Sequence, residues 1–76
     1  MFRLEPREIF DKAILRADDD MVIYSYELLI AVLIDVYMSG DEELHRDEAY
    51  IIASDDVNFN IISEICNRDD VFVEYS

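Results

Sequence analysis

The chain has 76 residues, with six Lys and Arg against 19 Asp and Glu, a formal net charge of −13, and 53% hydrophobic residues. A chain of that size makes one domain, and its apolar content is too high for a disordered acidic tail. The charge argues against direct binding to nucleic acid or to an anionic membrane surface, and the single Cys and single His fall short of a disulfide or a structural zinc site.

Pro6 suits a first helical turn, and Ile9, Phe10, Ala13, Ile14 and Ala17 form a one-sided stripe, so a first helix is predicted over 6–17. Asp18, Asp19 and Asp20 end it, because three carboxylates oppose the dipole at a helix C-terminus. Residues 21–24 are β-branched and aromatic and read as a short strand. Ser25 can cap a second helix over 26–39, with Gly40 placed to stop it in the left-handed conformation. Seven consecutive apolar residues from Leu28 to Ile34 make this helix apolar nearly all round, apart from the ridge of Glu27, Ala31 and Asp35. Such a helix must be surrounded.

A third helix is predicted from Asp41 or Asp47 to Ala53, and a fourth, capped by Asp55 or Asp56, through Val57, Ile61, Ile62 and Ile65 to Asn67. The alternation of 71–75 fits a terminal strand pairing with 21–24. The expected fold is mostly α, a small single-domain bundle of three to four helices with a short two-stranded sheet, and α+β is the alternative. The stretch 21–38 approaches the length of a membrane span, but Glu27 and Asp35 divide it and no basic residue flanks it. With no apolar signal core in the first six residues, a cytoplasmic location, of a cell or of an infected host, is expected.

Few residues suggest catalysis. His45 lies among Glu42, Glu43, Asp47 and Glu48 and reads as a solvated or ion-paired histidine, and Cys66 lies beside the apolar face of Ile62 and Ile65 and reads as a small buried hydrophobe. An EF-hand frame starting at Asp56 puts Ile61 where Gly is needed and Asn67 where Glu is needed, and a frame at Asp18 puts Val22 at the fifth position. No enzyme activity, cofactor or metal is expected.

The recurring signal is acidic: Asp18, Asp19 and Asp20; Asp41, Glu42 and Glu43; Asp47 and Glu48; Asp55 and Asp56; Asp69 and Asp70. Capping and solubility account for each group, but a small domain needs a net charge of only about 2 to 8 to stay dissolved. A globule of this length has a diameter of about 29 Å, over which a DNA duplex presents roughly 17 phosphates, a charge of the same order. In size and bulk charge the chain resembles the small acidic inhibitors that phages and mobile elements direct at nucleic-acid-handling enzymes: DNA mimics, anti-restriction proteins and anti-CRISPR proteins. The resemblance implies a non-enzymatic inhibitor whose carboxylates dock on a basic, nucleic-acid-binding surface of a larger protein. Tyr50, Phe59 and Tyr75 are the candidate anchors for specificity. The alternative is a small accessory or structural subunit that homodimerises through the second helix, with Leu29, Ile30, Leu33 and Tyr37 at the interface.

Overall fold

In the computed structural model, which describes residues 2–40 and 44–75, the chain turns from helix to strand earlier than its first apolar stripe predicts. Helix α1 covers only Arg7–Phe10, a 3₁₀ turn covers Asp11–Ala13, and strand β1 runs Ile14–Ala17. A helix of twelve residues is marginal without tertiary support, whereas these four residues supply the missing neighbour of the next strand. β1 pairs antiparallel with β2 (Val22–Ser25), Ile14 opposite Tyr24 and Ala17 opposite Val22, with a register shift that leaves Leu15 half-exposed. The Asp18 N–H closes the hairpin on the Met21 carbonyl at 2.8 Å.

The last strand, β3 (Val71–Glu74), pairs with β2 as the sequence predicts, in parallel, with Val22 opposite Val71 and Ser25 opposite Glu74. The sheet is therefore three-stranded and mixed, in the order β1-β2-β3. This finding overturns the mostly α bundle with its two-stranded sheet, and the α+β alternative fits.

Between β2 and β3 come the longer helices. Helix α2 (Tyr26–Gly40) starts where predicted, with the Leu28 N–H donating to Ser25 Oγ at 3.2 Å. Gly40 is its last residue and has no positive φ, so the expected left-handed stop is not used. Leu29, Ile30, Leu33 and Ile34 are buried, while Glu27, Ala31 and Asp35 form the exposed ridge.

The third and fourth predicted helices are joined. Helix α3 (Arg46–Asp56) runs through a π turn (Val57–Ile61) into α4 (Ile62–Ile65), and right-handed helical backbone continues through both junctions. The Ile62 N–H donates to the Val57 carbonyl, five residues back. The cause lies in the apolar spacing. Ala49, Ala53, Val57, Ile61 and Ile65 are all buried and recur every fourth residue. In a regular α-helix each four-residue step overshoots by about 40°, about 160° over the stripe. A π turn holds one extra residue and takes back about 100° of that drift, which keeps Ile61 and Ile65 toward the core. Asp55 and Asp56 thus lie within a continuous helix and do not cap a new one.

The core joins this stripe to Phe10, Ala13, Val22, Tyr24, Leu29, Leu33 and Val71. Tyr24 is fully buried and its phenol oxygen accepts the Leu4 N–H at 3.0 Å, which ties the leading segment to the central strand. On the outer side of the sheet, Arg16, Ile23 and Phe72 stand in register across the three strands. The molecule measures 41 × 21 × 21 Å, with a radius of gyration of 12.6 Å against about 11 Å for a globule of this length. It is longer than the expected sphere. Among the described residues no helix is long and apolar enough to cross a membrane.

Candidate functional site

The described carboxylates lie on the outside. Ser25 is the one buried residue among the described polar and charged side chains. Parallel pairing brings two predicted acidic groups together, because the Val22 N–H donates to the Asp70 carbonyl at 2.9 Å. Asp18, Asp19 and Asp20 in the β1–β2 turn and Asp69 and Asp70 before β3 therefore share one end of the sheet. Two arginines meet them there. Arg16 pairs with Asp18 at 3.2 Å and Arg68 with Asp70 at 3.1 Å, both in solvent. The Arg68 guanidinium also lies 4.2 Å from the centre of the Phe2 ring. Its hydrogen bond to Asp70 is the main cause that holds the Asp70 carboxyl below its ordinary value, with the Phe2 N–H adding to the effect.

Asp47 and Glu48 sit apart, exposed on the first turn of α3, where a carboxylate complements the helix dipole. Here α3 stands against the ridge of α2 and leaves a cleft of about 400 Å³ between Glu27, Ile30, Ala31 and Ile34 on one side and Arg46, Asp47 and Tyr50 on the other. A second cleft of about 340 Å³ continues it along the ridge to Asp35 and Met38, sharing Ala31, Ile34 and Arg46. The groove has an aliphatic floor and a mainly acidic rim.

Asp55 and Asp56 form a third group at the π turn. Asp56 accepts from Asn60 Nδ2 at 2.6 Å and from the Tyr37 phenol, whose own pKa is raised first by burial and then by that carboxylate. The Tyr26 hydroxyl donates to Asn58 Oδ1 at 2.8 Å, so both asparagines of the turn are held. Between them Phe59 projects with 72% of its surface exposed. Asp41, Glu42 and Glu43 lie outside the described residues.

The three proposed anchors, Tyr50, Phe59 and Tyr75, are exposed, with Tyr75 packed on the Tyr26 ring at 5.0 Å between centroids. Sequence reasoning missed Ile51 and Ile52, which are also exposed. Their signal is the small-residue pair Ala49 and Ala53, which faces the core and turns the isoleucines outward.

Two expectations are corrected. Leu29, Ile30 and Leu33 are buried within the chain's own core, and Tyr37 is half-buried beside Asp56, so the α2 face assigned to a dimer interface is already covered. α3, the π turn and the sheet together suffice to surround it. Cys66 is exposed, not buried, with its Sγ 3.4 Å from the Ser63 carbonyl, because Ile65 takes the inward position at the helix end. His45 is exposed ahead of α3, and its carbonyl accepts the Ala49 N–H. Among the described residues no group of three or more His, Cys, Asp or Glu gathers to hold a metal. No family model, curated protein or solved structure matches the chain.

Proposed function

We propose that this protein is a non-enzymatic inhibitor that docks on a basic, nucleic-acid-binding surface of a larger cytoplasmic protein and takes the place of the nucleic acid. The observation that carries this reading is a net charge of −13 on a rod 41 Å long, none of whose described carboxylates is buried. A duplex of that length presents about 24 phosphates, about 12 on each strand, so the chain matches the charge of one strand. A basic groove can therefore exchange its counterions for this exterior much as it does for DNA, and the on-rate gains from the same steering.

Charge alone attracts many cationic surfaces, so specificity falls to apolar contacts set among the acids. Phe59 between Asp55 and Asn60, and Tyr50 above Asp47, supply them. The exposed Ile51, Ile52 and Phe59 support a second reading, an accessory subunit that binds its partner through this face of α3 while the charge serves solubility.

The test is capture of partners from a lysate, followed by challenge with duplex DNA and with salt. Release by both, and weaker retention by Asp18→Asn/Asp19→Asn/Asp20→Asn, is expected. A partner that stays bound from low to moderate salt, resists excess duplex and is lost with Phe59→Ser favours the accessory subunit and overturns the mimic.

A further inference from the structure

We infer that the groove between α2 and α3 receives a cationic amphipathic helix of the partner, with two basic side chains bracketing an apolar one. This rests on the charge-driven docking proposed above and assigns it a place.

The floor is Ile30, Ala31 and Ile34, and the small Ala31 side chain at its centre allows close approach of another backbone. Glu27 and Asp35 stand at its two ends, one ridge position on either side of Ala31. At 1.5 Å per residue they are about 12 Å apart, the rise between positions seven or eight apart on a second helix. Asp47 on α3 adds a third carboxylate, so among the described residues that line the groove the acids outnumber the bases, of which Arg46 is the one. The complement is therefore cationic at the edges and aliphatic in the middle. A second copy of this chain, at −13, meets that rim with like charge and is the disfavoured occupant.

The probe is a designed helical peptide of about 14 residues with arginines seven or eight positions apart bounding leucines on one face. It is compared with an isomer of identical composition in shuffled order, by titration against the full chain. The ordered peptide is expected to bind about tenfold tighter than the isomer. That ratio should fall to about one in Glu27→Gln/Asp35→Asn/Asp47→Asn and in Ala31→Tyr, which fills an exposed helix position. It should persist in Asp18→Asn/Asp19→Asn/Asp20→Asn, which removes the same charge from the sheet end. Equal binding of the two peptides, or an equal loss from both triple variants, overturns the groove and leaves charge-driven docking standing. Failure of both peptides to bind at low salt overturns docking itself. Concentration-dependent self-association abolished by Ala31→Tyr assigns the groove to a second copy and overturns the inference.

Discussion

The two long helical segments invert what their compositions suggest. Helix α2 carries an unbroken apolar run, yet Leu29, Ile30, Leu33 and Ile34 are buried and its ridge is charged at Glu27 and Asp35. The segment from α3 to α4 is more polar, yet it puts Tyr50, Ile51, Ile52 and Phe59 into solvent. An apolar helix is largely used when its neighbours enclose it, and on α2 only Leu28, Val36 and Met38 among the large apolar side chains stay at the surface. A helix whose inward stripe is built partly from small residues keeps its large apolar side chains for the outside. The larger exposed apolar side chains therefore belong to the less hydrophobic helix.

The sharpest way to break this comparison is to change the length of the π turn. Inserting an alanine after Phe59 rotates Ile61 and Ile65 by a further turn increment of about 100° and should abolish cooperative unfolding. Deleting Phe59 lets the turn relax to α with its stripe still inward and should leave a cooperative transition. Equal damage from both, read by urea denaturation, would show that the stripe does not set the turn.

A smaller effect separates the two apolar inventories. Leu29→Ala should cost about 2–5 kcal/mol, because it opens a cavity in the core. Ile51→Ser on the exposed face should change stability by no more than about 0.5 kcal/mol. A large loss from Ile51→Ser in denaturant titrations would mean that this face is covered.

A loss smaller than that of Leu29→Ala tests the tie between the leading segment and the sheet. Tyr24→Phe leaves the Leu4 N–H without its acceptor and should cost about 1–3 kcal/mol at neutral pH. Burial raises the Tyr24 pKa above the ordinary 10.0, so the folded chain holds that proton more tightly than the unfolded one. The resulting stability is present below the ordinary value and is lost as pH rises through the folded one. The wild type should therefore lose stability above pH 10.0 more steeply than Tyr24→Phe, and superimposable alkaline limbs would contradict this.

Where local chemistry and tertiary packing agree, the sequence was readable: the Ser25 cap, the extent of α2, its exposed ridge and the pairing of the last strand with residues 22–25. Where they compete, it misled. Residues 14–17 carry a helical stripe, but β2 needed a second neighbour, and that demand depends on pairing across the hairpin. Asp55 and Asp56 look like caps, and only the four-residue recurrence from Ala49 to Ile65 shows that the helix passes through them. The acidic groups were legible one by one. That Asp18, Asp19 and Asp20 meet Asp69 and Asp70 follows from the parallel register, a long-range relation that no local window contains.

That register also orders events during synthesis. β2 lies between a neighbour made just before it and one made some fifty residues later, so the nascent chain can close its hairpin early but cannot complete the sheet until residues 71–74 have left the ribosome. Until then β2 keeps one open edge on which another strand can pair, and the like charge of neighbouring chains, −13 each, opposes that pairing during the wait.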